Sequence, residues 1–72
     1  MDNIEELIEN WFTYHSPTPE QIPIYGKMRE AAKTFALVIA ECLPASADRT
    51  AAIRKVREAV MTANAGIACG GK

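Results

Sequence analysis

Between Pro19 and Leu43 apolar side chains run around nearly half the circumference of a helix, and that breadth limits what the rest of the chain can become. Ile22, Ile24, Tyr25, Met28, Ala31, Ala32, Phe35, Ala36, Val38, Ile39, Cys42 and Leu43 all lie on this face. A single partner helix cannot cover it, so the segment calls for self-association.

The borders of that segment are written in its capping residues. Thr18 can cap with its hydroxyl, Pro19 suits the first helical position and Gln21 completes a capping box, which predicts a helix over residues 19–43. Pro23 is awkward there, because it loses the bond to Pro19; either the first turn bends or the regular helix begins near Ile22. Free amides at such a start attract anions. Upstream, Thr13 to Pro17 resists helix and leaves Tyr14 and His15 in an extended loop over residues 13–18, able to fold over a neighbour.

Downstream, Pro44 and Ala45-Ser46-Ala47-Asp48 break the helix and reverse the chain over residues 44–48. A third segment over residues 47–69, capped by Ser46 or Asp48, carries a narrower stripe that includes Ile53, Val56, Val60 and Ile67. Its second half is small-sided nearly all round, which suits a place where several helices meet. Gly70-Gly71-Lys72 reads as a frayed tail over residues 70–72. The two long segments form an antiparallel α-hairpin.

Residues 3–12 place Ile4, Leu7, Ile8 and Trp11 on one face and glutamates opposite, the pattern of a short amphipathic helix. Ten residues do not hold a helix in isolation, so this stripe must dock on its own hairpin or on another chain, with Trp11 as an anchor. The class is all-α: one domain of 72 residues, a short helix followed by a long hairpin, assembled as a homo-oligomer. A chain this short buries only roughly 60% of its unfolded surface, and association is the natural remedy.

The net charge of −1 conceals an asymmetry: residues 1–20 hold Asp2, Glu5, Glu6, Glu9 and Glu20 without Lys or Arg, so the head is −5 and the remainder +4. Head and hairpin could pair between subunits, or the basic part could receive an anion. Duplex nucleic acid wants a more dominant basic patch. No apolar run is long enough to cross a bilayer, and Met1-Asp2-Asn3 with its following glutamates has the wrong charge for a secretory leader, which points to the cytosol. Cys42 and Cys69 lack metal or redox spacing and there is a single His, so buried free thiols are expected, with neither metal nor cofactor.

Several side chains invite a chemical reading. Tyr25, Arg29 and Lys33 follow at i, i+4 and i+8 along the border of the wide face, where an aromatic beside two cations can hold a base and a phosphate; the plainer reading is a snorkelling border. Arg49, Arg54, Lys55 and Arg57 point around their helix and read as a solvated face. Asn64, inside an apolar stretch, must find a partner, either an interhelical bond or a base edge. His15 has no partner spaced for a catalytic dyad and fits better as a support for Tyr14 or a phosphate contact. No enzyme is specified.

In order and spacing, Tyr14-His15-Ser16-Pro17, Tyr25-x-x-x-Arg29-x-x-Ala32-Lys33, Pro44-x-Ser46-x-x-Arg49-Thr50 and Glu58-Ala59-Val60-Met61-x-Ala63-Asn64-Ala65-x-Ile67-Ala68 resemble the phage anti-CBASS proteins of the second class. Those proteins share a helical-hairpin domain with some anti-Thoeris sponges. The resemblance covers residues 13–68 and leaves out the acidic first segment and the tail; Pro23 departs from the regular helix of the family. It implies a homohexameric sponge in the cytoplasm of the infected bacterium, binding cyclic di- and tri-nucleotides intact. It assigns Tyr14 to base stacking and Arg29 to a phosphate. By chemistry, Tyr14 and the helix start at Thr18 could come from one subunit and Arg29 with Lys33 from another, with His15 and Tyr25 as further candidates. For a separate trinucleotide pocket, Arg49 and Asn64 are candidates by chemistry alone. The alternative reading is a small helical module that binds a partner protein.

Overall fold

The computed structural model describes residues 3–72. The expectations placed on Met1 and Asp2 lie outside those residues. Three helices follow one another: α1 over Ile4–Trp11, α2 over Ile22–Cys42 and α3 over Ala47–Ala68.

Capping fixes each boundary. Thr18 and Gln21 exchange two bonds, the Gln21 amide donating to Thr18 Oγ1 at 3.2 Å and the Thr18 amide donating to Gln21 Oε1 at 3.0 Å. The expected box is therefore present, but the turn at residues 19–21 precedes regular helix, which starts at Ile22 and not at residue 19. Pro23, short of an amide, sits at the second helical position, where it costs least. The start also keeps its donors for itself, since the Gln21 and Ile22 amides both bond to the Thr18 carbonyl; these two are not free for an anion. Leu43 ends α2 in extended conformation, and Ser46, rather than Asp48, caps α3 by accepting from the Arg49 amide at 3.1 Å.

The tail is not frayed. Gly70 and Gly71 take φ of +68° and +78°, and their amides donate to Ile67 O and Gly66 O at 3.3 and 2.8 Å, a Schellman closure that only glycine adopts without strain.

Packing leaves the chain in one layer. Its extents are 49 × 30 × 15 Å, and 15 Å is little more than one helix with its side chains. The radius of gyration is 15.7 Å where a compact chain of this length has about 11 Å. Ile39 is the sole buried residue among those described. The surface exposed is 5910 Å², against about 4,400 Å² for a compact monomer of this size. Phe35 is 58% and Leu37 53% exposed, and Cys42 is exposed too, contrary to the buried thiol expected. Cys69 is half-buried, and both thiols are free.

Candidate functional site

Two regions hold the residues of interest. The first is the open end of the hairpin, where α1, the loop after it and the start of α2 converge on the end of α3. Asn10 Nδ2 donates to Cys69 O at 3.2 Å, Trp11 Nε1 to Lys72 O at 2.8 Å and Gln21 Nε2 to Ile67 O at 3.2 Å. These donors reach backbone oxygens at and just beyond the end of α3, part of a terminus that helix geometry leaves unsatisfied. His15 Nε2 lies 2.7 Å from Asn10 O; a carbonyl only accepts, so this nitrogen donates and carries the proton. Through Nε2 the half-buried His15 pins the loop to the end of α1.

What the pin supports is Tyr14. Its ring is 83% exposed and its hydroxyl has no hydrogen bond among the described residues, so none of them occupies it. Thr18, exposed beside it in sequence, already spends its oxygen on the Gln21 cap. Trp11 and Gln21 were legible as an anchor and a cap, and Asn10 drew no reading; none was legible as a ligand of α3 backbone oxygens, because no local pattern announces a bond across 46 to 61 residues.

The second region is a groove of about 290 Å³ along one face of the hairpin. Arg29 and Lys33 from α2 meet Arg57 from α3 over a floor that includes Ala32, Ala36, Val56 and Val60. The three cations are exposed and have no ion pair among the described residues, and no carboxylate lines the groove. Arg57, read from sequence as part of a solvated face, is thus brought beside Arg29 and Lys33. Its signal was available: it stands four residues after Ile53, on the border of the α3 stripe. Neither Tyr14 nor Tyr25 lines this groove. Tyr25 is half-buried nearer the open end.

The two remaining candidates stand apart. Arg49 Nη1 donates to Ala40 O at 3.5 Å, tying the start of α3 to the end of α2 at the turn. Asn64 is half-buried, and its Oδ1 is buried without a partner among the described residues, against the expectation that it must find one. An unsatisfied buried acceptor costs about 1–3 kcal/mol. Among the described residues no group of three or more metal-binding side chains forms, and no helix is long and apolar enough to cross a membrane.

Neither a curated protein nor a solved structure matches the chain. The family model described as the Acb2/Tad1 hairpin domain matches residues 4–68. The match begins at Ile4, so the acidic first helix, which the motif resemblance left out, lies inside the domain. With α1, α2 and α3 all within it, this chain belongs to the Acb2/Tad1 hairpin-domain family.

Proposed function

We propose that the protein is a non-enzymatic sponge, a phage anti-defence protein that sequesters the cyclic di- and tri-nucleotide messengers of bacterial CBASS immunity in the host cytoplasm. The observation that carries this reading is the family match over residues 4–68. The site chemistry agrees with it. A cyclic dinucleotide presents two phosphodiesters and two bases, and it calls for cations and aromatic faces in roughly two-fold arrangement. Tyr14 offers an unoccupied ring, while Arg29 and Lys33 offer cations that no carboxylate neutralises.

Within one chain Tyr14 is absent from the groove that Arg29 and Lys33 line, so the proposed site draws Tyr14 from one subunit and the cations from another. A homohexamer is the assembly we propose, and the excess exposed surface supports association: about 1,500 Å² per chain is of the order that obligate interfaces bury. Arg49 and Asn64 remain candidates for a trinucleotide pocket, Asn64 on the strength of its unpaired acceptor. The ligand is held and not cleaved, no metal or cofactor takes part, and duplex nucleic acid is not a partner.

Titration of purified protein with cyclic di- and tri-nucleotides tests the reading. Saturable binding of a cyclic nucleotide, recovered unmodified after denaturation, is the expected result. A folded oligomer that retains none of them but captures a defined host protein would transfer the role to a protein-interaction module.

A further inference from the structure

We propose that Gly70 and Gly71 are positioning residues: the turn they close beyond α3 holds the end of α1 and, through it, sets the Tyr14 ring in place before any ligand arrives. That Tyr14 then meets a base rests on the proposed function; the setting of its loop does not.

Tyr14 makes no side-chain hydrogen bond among the described residues and its ring is 83% exposed, so its neighbours dictate its place. Both are tied to α1. Thr13 Oγ1 donates to Glu9 O on one side, and His15 Nε2 donates to Asn10 O at 2.7 Å on the other. Eight residues do not hold a helix in isolation, so α1 takes its position from what it is bonded to. Its bonds to the tail run in both directions. Asn10 Nδ2 donates to Cys69 O at 3.2 Å, while Cys69 Sγ donates at 3.8 Å to Asn10 O, the same oxygen that receives His15. Trp11 Nε1 adds a bond of 2.8 Å to Lys72 O. The far side of the loop is fastened to the same helix end, by Gln21 Nε2 on Ile67 O at 3.2 Å.

Where the tail oxygens point is decided by two backbone angles. At φ of +68° and +78°, Gly70 and Gly71 turn the chain back so that their amides close on Ile67 O and Gly66 O. A Cβ added at either position would meet nothing within 4 Å. Space is therefore not what calls for glycine here. The positive φ is, and it strains L-alanine while it suits D-alanine.

That mirror-image pair makes the test. Residues 1–68, labelled with ¹⁵N, are ligated at Cys69 to a synthetic peptide over residues 69–72 that carries glycine, L-alanine or D-alanine at both positions. Without nucleotide, the Tyr14 amide is expected to show an order parameter of about 0.8 in the glycine and D-alanine chains and below about 0.6 in the L-alanine chain. Amides in the middle of α2 and α3 stay as they are, which shows that the hairpin remains folded. A loop that is competent only part of the time binds in proportion to that fraction. Gly70→Ala with Gly71→Ala is therefore expected to slow association with a cyclic dinucleotide and weaken affinity about fivefold or more, leaving dissociation unchanged, and D-alanine is expected to restore both. An L-alanine chain whose Tyr14 is as ordered as the parent's, a D-alanine chain that fails to restore it, or a loosened loop that binds as the parent does would overturn the proposal. The relaxation arm contains no nucleotide and decides the positioning by itself; a parent that binds no cyclic nucleotide counts against the proposed function alone.

Discussion

The open end of the hairpin and its middle solve the same problem in opposite ways. At the open end the last carbonyls of α3 and the tail oxygens are met by Gly70, Gly71, Asn10, Trp11 and Gln21 from the same chain. In the middle, α2 and α3 touch along one seam and leave apolar grooves on both faces, one lined by Met28, Phe35 and Ile39, the other rimmed by cations. Polar bonds have short reach and can be completed locally. Apolar surface is covered only by more surface, and a layer 15 Å thick has none to spare. The backbone oxygens at the open end are therefore met within the subunit, while the middle keeps the apolar surface that the proposed assembly would cover.

The sharpest way to break this contrast is to attack ligand binding at the middle and at the loop that serves it. Arg29→Glu replaces the proposed phosphate partner by a like charge and is expected to lower cyclic dinucleotide affinity by at least a hundredfold in calorimetric titration. Tyr14→Ala removes the proposed stacking platform, worth about 1–3 kcal/mol per base, a loss of roughly 5- to 150-fold. Both proteins should retain their oligomeric mass. Unchanged affinity in either would remove that residue from the site.

Next in size is Phe35→Glu. At 58% exposure in one chain, a monomer would tolerate it within about 0.5 kcal/mol. Covered by another copy, the same charge is expected to cost about 3 kcal/mol and to dissociate the assembly, read by thermal unfolding and by mass. Trp11→Phe tests the other region: it deletes the bond to Lys72 O together with part of the ring and should cost about 1 kcal/mol, with mass unchanged.

The smallest effect is expected at Asn64. Its buried Oδ1 lacks a partner, so Asn64→Leu should leave the ligand-free protein as stable as before or raise its stability by about 1 kcal/mol in chemical denaturation. A clear loss would mean that another copy satisfies this oxygen.

Much of the fold was legible because its punctuation is local. Ser46 and the Thr18–Gln21 pair cap where hydroxyl and amide chemistry says they must, and Pro44 marks the reversal. The start of α2 at Ile22 was one of two options that Pro23 left open. Local patterns did not reveal that Gly70 and Gly71 close α3, since two terminal glycines read equally well as a loose end. Nor did they reveal the register that sets Arg57 beside Arg29 and Lys33, which depends on how the two helices lie against each other. Cys42 was misjudged for the same reason that the wide face was noticed: apolar character was read as burial, and one chain cannot bury that much.

Native mass spectrometry of the protein, alone and with a panel of cyclic di- and tri-nucleotides, followed by denaturation and analysis of what is released, bears most directly on the proposed function. Discrete adducts on a closed oligomer, each releasing intact nucleotide, are the predicted result. A monomer, an oligomer that carries no adduct across the panel, or the release of cleaved nucleotide would contradict it.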